Sequence, residues 1–172
     1  MESLFEGGGV MSGISYDTMI SYIIENQEKF YRLAYSYVRN KDQALDIVQN
    51  SIVKALENYS KLRNPNAIKT WVYRVIVNES ITMLRKEKRE TVYEPEQIDE
   101  MREEAVPENE PGIFEQVNCL PFELRTVIIL RFYEDLPLKE IAKVTNTNLS
   151  TTKYRLYSAI SKLKTVIKEE AL

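Results

Sequence analysis

Between Tyr16 and Asn40 the apolar residues Met19, Ile20, Ile23, Ile24, Phe30, Leu33, Ala34, Tyr37 and Val38 fall at three-to-four spacing, which predicts an amphipathic helix. Asn40, Lys41 and Asp42 interrupt that period. A second helix follows on Ala44, Leu45, Ile47, Val48, Ile52, Ala55, Leu56 and Tyr59, with Asp42 placed to cap it. Arg63, Asn64, Pro65 and Asn66 read as a loop. A third helix, from about Ala67 to Lys88, carries Trp71, Val72, Val75, Ile76, Ile81 and Leu84 and ends in Arg85, Lys86, Lys88 and Arg89. Farther on, Ile113 to Asn118, Phe122 to Tyr133, Leu138 to Val144 and Leu149 to Lys168 each have helical spacing, separated by Pro121, Pro137 and the Thr145 to Asn148 cluster. No segment alternates for long enough to argue a sheet, so the reading is all-α.

Charge divides this string of helices in two. From Glu90 to Pro111 nine acidic residues face a single Arg102, a local charge of −8 within a chain whose net charge is −3, which leaves the rest at +5. The same stretch holds Pro95, Pro107 and Pro111 and few large apolar side chains, the composition of a linker. Residues 1–15, with four of the five glycines and Met11 as a second candidate start, read as a flexible leader. The expected organisation is therefore a leader 1–15, a helical domain 16–89, an acidic tether 90–111 and a second helical domain 112–172. With one cysteine, Cys119, and no histidine, neither an intrachain disulfide, a Cys/His zinc site nor a histidine-based mechanism is available. No carboxylate pair or phosphate loop stands out either, so neither enzyme activity, cofactor nor metal is expected. The absence of a signal-like or spanning apolar run places the chain in the cytoplasm.

Two segments carry chemistry. Leu138 to Val144, a short turn with Asn146 suited to positive φ, and Leu149 to Leu163 form a helix-turn-helix pattern, with Ala142 small enough for a close crossing and Asn148 or Ser150 able to cap the second helix. From Ser150 to Lys168 that helix has Lys153, Arg155, Lys162, Lys164 and Lys168 and no acid, which suits either a DNA groove or a solvated bundle face. In the third helix Trp71, Tyr73, Arg74, Asn78 and Arg85 combine rings with cations, as single-stranded DNA binding does; Trp71 and Tyr73 suit the core equally.

DQALDIVQNSIVKAL (residues 42–56) resembles region 2.2 of extracytoplasmic-function sigma factors, WVYRVIVNESITMLR (71–85) resembles regions 2.3 and 2.4, and residues 120–163 resemble region 4. The phrases FYRLAYSYVRN, ALDIVQ and RNP with IKTW are similar to the sigma-V subgroup. The resemblance implies two small domains, a sigma region 2 bundle and a region 4 helix-turn-helix, serving an RNA polymerase subunit that selects promoters for a stress regulon of the cell envelope. It implies that Asp46, Gln49 and Asn50 contact the coiled coil of the core polymerase β′ subunit, with Asn50 standing where an acid is more usual. Asn78, with Trp71, Arg74, Arg85, Lys61, Arg63 and Asn64, would take the minus-ten element and its flipped base; Thr82 replaces a common acid. Ser150, Thr151, Lys153, Tyr154, Arg155 and Tyr157 would take the minus-thirty-five element, with Arg155 on the backbone and Ser158 where arginine is frequent. Region 4 implies contact with the β flap, the tether an imitation of nucleic acid or a plain spacer, and the family a membrane-anchored anti-sigma factor as partner.

Thr145, Thr147 and Thr152 stand at usually apolar positions and bring hydroxyls that need partners, so the second domain is expected to be marginal alone. A stand-alone helix-turn-helix regulator, binding duplex DNA as a dimer without polymerase, and a purely protein-binding helical adaptor are the alternatives.

Overall fold

The computed structural model describes residues 13–91 and 112–170. The other residues of the leader and of the acidic tether lie outside them. Ile14 and Ser15 are not leader: Ile14 is buried, its N–H reaches the Leu62 carbonyl at 3.4 Å, and Ser15 Oγ accepts from Thr18 N–H to cap the first helix.

Among the described residues the chain forms seven α-helices and no strand. Helix α1 is Tyr16–Val38, α2 Lys41–Asn58, α3 Ile68–Thr91, α4 Ile113–Asn118, α5 Phe122–Ile128, α6 Leu138–Val144 and α7 Leu149–Glu170. The corner between α1 and α2 takes two residues. Arg39 adopts the left-handed conformation with φ 52° and returns its N–H to the Tyr35 carbonyl, and Asn40 then caps α2 by accepting from Gln43 N–H. The cap is thus Asn40 and not Asp42, because a capping residue needs the extended backbone that Asn40 has, while Asp42 already lies in the first helical turn. Short 3₁₀ turns at Tyr59–Lys61 and Pro65–Ala67 lead into α3, which begins one residue later than predicted and runs through Glu90 to Thr91.

Helices α1, α2 and α3 pack around Met19, Ile23, Phe30, Leu33, Ile47, Val72, Tyr73, Ile76 and Val77, where each large side chain removed from water contributes roughly 1.5–3 kcal/mol. One buried serine in each helix, Ser36, Ser51 and Ser80, returns its hydroxyl proton to the carbonyl of Leu33, Ile47 or Ile76, so that small polar residues sit in this core without an orphaned group. Two predicted core residues face out. Ile24 and Leu45 are exposed, since period alone shows a stripe but not its edges.

The second group, α4 to α7, centres on Val117, Leu120, Val127, Ile129, Leu130, Ile141, Leu156, Ala159 and Leu163. Its first three helices have six or seven residues each, too short to persist without this packing. After α5 the chain winds as a π-helix over Ile129–Tyr133, with Glu134 N–H bonded to the Ile129 carbonyl at 3.1 Å. The two groups touch. The Tyr37 and Thr126 hydroxyls lie 2.6 Å apart, Thr70 donates to Glu140 at 2.7 Å, and Arg32 stands over the Tyr133 ring at 5.5 Å.

Candidate nucleic-acid and polymerase interfaces

On α3 the residues Trp71, Arg74, Asn78, Thr82 and Arg85 follow one another at three or four positions and share one side of the helix. Arg74, Asn78, Thr82 and Arg85 are exposed and Trp71 is half-buried against the core, which leaves part of its ring accessible. From Trp71 to Arg85 this row extends about 21 Å, or about six base steps along a duplex strand. Among the described residues the Asn78 amide has no hydrogen-bond partner, so both its donor and its acceptor face outward unused. Thr82 is committed, its hydroxyl returned to the Asn78 carbonyl at 2.8 Å. Tyr73 belongs elsewhere. It is wholly buried edge-on to Phe30, and burial together with the neighbouring Glu134 raises its pKa, so it is a core residue and not a stacking surface.

Lys61, Arg63 and Asn64 are exposed in the loop entering α3. Asn64 uses its side-chain oxygen to accept from Asn66 N–H and thereby fixes the loop, which leaves its amide nitrogen and a second lone pair of that oxygen for a ligand.

The helix-turn-helix is formed by α6 and α7. Asn146 takes φ 52° in the turn, as predicted, and Thr147 N–H reaches back to the Ala142 carbonyl at 2.9 Å. Of the two predicted caps Asn148 serves, accepting from Thr151 N–H at 2.7 Å, while Ser150 lies in the first turn. Ser150, Lys153, Tyr154 and Tyr157 form an outward row in which the two rings are 71% and 66% exposed. A tyrosine held so far from the core forgoes the burial that usually stabilises it, which marks a surface for contact. Thr151 is half-buried, and Arg155 stands apart from the row, half-buried in a cleft with Tyr37, Phe122 and Glu123. Thr145, Thr147 and Thr152 satisfy one another: their hydroxyls form a chain at 3.0 Å spacing whose ends bond the Ile141 and Asn148 carbonyls.

On α2, Asp46, Gln49 and Asn50 are exposed on the side opposite Ala44, Ile47, Val48 and Ala55. Sequence reasoning missed two neighbours. Val53 continues the polar row at 53% exposure and Leu45 flanks it at 49%, so the face combines polar groups with uncovered apolar ones. The available signal was Val53 itself, an apolar residue four and three positions after the polar Gln49 and Asn50.

The Sigma-70 region 2 family matches residues 23–90, and the Sigma-70, region 4 family matches residues 113–163. These spans hold the α2 and α3 faces and the helix-turn-helix respectively. The RNA polymerase sigma factor SigV of Bacillus subtilis is 41% identical over 90% of this chain and 93% of its own length. The chain belongs to the extracytoplasmic-function sigma factors. A further member, the ECF RNA polymerase sigma-E factor of Haemophilus influenzae, is 30% identical over 77% of this chain and 78% of its own. Among solved structures, the sigma factor RpoE in complex with the anti-sigma factor NepR from Bartonella quintana superposes with a TM-score of 0.76 at 21% identity, covering 87% of this sigma factor and 96% of that chain. CnrH in complex with the cytosolic domain of CnrY superposes with a TM-score of 0.64 at 16% identity, covering 93% of each. Both show the fold of this sigma factor, two helical domains corresponding to regions 2 and 4. Among the described residues no helix is long and apolar enough to cross a membrane.

Proposed function

We propose that this sigma factor docks on core RNA polymerase through the Asp46, Gln49, Asn50 and Val53 face of α2 and carries the enzyme to promoters of a stress regulon, contributing recognition and no chemistry of its own. The first domain runs from Ile14 to the end of α3 at Thr91 and the second over residues 112–172, joined by the remainder of the acidic segment. The α3 row from Trp71 to Arg85, with Lys61, Arg63 and Asn64, takes the minus-ten element as a single strand: cations follow the phosphates, Trp71 offers a ring to a base, and Asn78 reads a base edge. Lys153, Tyr154 and Tyr157 face the bases of the minus-thirty-five element, Ser150 and Thr151 lie at the helix start near the phosphates, and Arg155 joins the backbone contacts once it leaves its cleft. A membrane-anchored anti-sigma factor holding the protein in the cytoplasm is the expected inhibitor. The support is that one chain carries two outward faces suited to DNA, one for a single strand and one for a duplex groove, in the order of the family.

Transcription in vitro with purified core polymerase and a promoter library tests this reading. Specific start sites are expected, and Lys153→Glu should reduce initiation at least tenfold while core binding stays unchanged. Failure to bind core polymerase refutes it, and tight dimeric binding to a palindromic duplex without polymerase would point to a stand-alone regulator instead.

A further inference from the structure

Residues 13–16 run beside the loop between α2 and α3. In that loop Leu62 follows the turn Tyr59–Lys61 in an extended conformation, φ −81° and ψ 99°, and returns its N–H to the Tyr59 carbonyl at 3.0 Å. Asn64 is extended too and fastens the far end, its carbonyl accepting from Ala67 N–H and its side-chain oxygen from Asn66 N–H, both at 3.0 Å. The Leu62 carbonyl, between these two fastenings, is held from outside the loop by Ile14 N–H at 3.4 Å.

A contact of that length exceeds the usual span of about 2.7–3.2 Å, so the hydrogen bond alone holds little. The side chains on either side hold more. Ile14 and Leu62 are each 6% exposed and enter the apolar core together, and the Tyr16 ring meets Tyr59 edge-on with 5.4 Å between centroids. The Gly13 backbone comes so near that a Cβ built on it would lie 3.1 Å from the Leu62 carbonyl oxygen, tighter than ordinary van der Waals contact. Glycine permits this approach.

That oxygen belongs to the rigid peptide unit joining Leu62 to Arg63, so fixing it fixes the direction in which the chain leaves for Arg63. The exposed side chains of Arg63 and Asn64 therefore start from a backbone that residues 13–16 set. A recognition constellation must be held within about 0.5 Å of its productive geometry. The few tenths of an ångström by which a methyl on Gly13 would displace the Leu62 oxygen are of that order.

We propose that Gly13, Ile14 and Tyr16 are positioning residues for promoter choice, which hold the Leu62–Asn64 backbone where Arg63 and Asn64 meet the minus-ten element. The proposal rests on the reading of that loop as part of the minus-ten surface. It gives a part in base preference to three residues outside the DNA-facing row of α3.

Transcription in vitro by the full chain with core polymerase tests it, on promoters in which each position of the mapped minus-ten element is varied in turn. Arg63→Ala and Asn64→Ala define the positions that the loop reads, as those where base preference falls. At the same positions Gly13→Ala and Ile14→Ala should lower preference at least about fivefold, the lower end of what one base contact contributes to discrimination. Preference at the other minus-ten positions and affinity for core polymerase should change less than about twofold, and Ile14→Val, which keeps most of the buried side chain, should retain the original preference. A merely structural loss would lower initiation at every promoter alike; that result, or unchanged preference at the loop positions, overturns the proposal. Gly13→Ala leaves the core side chains intact and carries the same expectation should Ile14→Ala not fold. If neither Arg63→Ala nor Asn64→Ala alters preference at any position, the minus-ten reading of the loop fails and takes the proposal with it.

Discussion

The three threonines of the helix-turn-helix permit a test in which stability does not follow the number of substitutions. Thr152 is buried, with Oγ1 2.9 Å from the Asn148 carbonyl and 3.0 Å from Thr147 Oγ1; Thr147 is in turn 3.0 Å from Thr145 Oγ1, which lies 2.8 Å from the Ile141 carbonyl. Each hydroxyl has one proton. The outer two direct theirs to carbonyls, so Thr147 has one proton and a choice of two acceptors. Thr152→Val keeps the shape and leaves Thr147 with Thr145, while the Asn148 carbonyl still accepts from Thr152 N–H at 3.0 Å. The expected loss is that of one neutral hydrogen bond, about 0.5–1.5 kcal/mol, and the same holds for Thr145→Val. The double variant deprives the half-buried Thr147 hydroxyl of both acceptors and should lose about 1 kcal/mol more than the two singles together. Adding Thr147→Val removes the stranded hydroxyl, so the triple variant should be more stable than the double. Native-state hydrogen exchange of the α6 and α7 amides reports this locally, which avoids treating a two-domain chain as a single transition. Additive singles and doubles, with a triple weaker than the double, would refute the hydroxyl accounting.

Two further expectations concern the other domain. Val53→Asp changes an exposed side chain, so thermal stability should move by less than about 0.5 kcal/mol while core-polymerase affinity, measured by fluorescence anisotropy, falls at least about fivefold; unchanged affinity would remove this face of α2 from the docking surface. Burial pushes the Tyr37 hydroxyl up to about 12 from its ordinary 10.0, and Tyr22 and Tyr73 are also raised, first by burial. Because the fold keeps these protons where the unfolded chain has lost them, stability should be level below pH 10 and decline as pH rises from about 10 towards 12. Circular dichroism should show a shallower alkaline decline for Tyr37→Phe, and a stability that increases over that range would contradict the assignment.

Periodicity and punctuation were enough to place the helices, because a three-to-four repeat interrupted by Pro121, Pro137 and the Thr145 to Asn148 cluster has few other foldings. The same rule misplaced Ile24 and Leu45, which are apolar and exposed: a surface available for a partner looks like core when only the period is read. Asn78 was legible as a polar residue in the middle of a helix, whereas Tyr154 and Tyr157 came only from the resemblance to region 4. Arg155, which the resemblance sets on the DNA backbone and apart from the base-facing residues, lines the cleft beside Tyr37. Tyr73 was ambiguous as sequence because its covering depends on Phe30 and Glu134, residues distant along the chain. The threonines appeared to weaken the second domain. Their mutual hydrogen bonds, which depend on a turn of defined geometry, remove the burden of unpartnered hydroxyls.

The π-wound stretch at Ile129–Tyr133 makes the alignment of the two domains a matter of counting. An i to i−5 hydrogen bond accommodates one residue more than an α-helical turn does, so deleting a single residue there would restore ordinary winding and rotate everything beyond it by about 100°. Glu134 would then no longer point into the first domain, while the helix-turn-helix behind it could retain its own internal packing. Sequence drift in this family can therefore change how the halves of the molecule communicate through a one-residue insertion or loss, without altering a single side chain that meets DNA or polymerase.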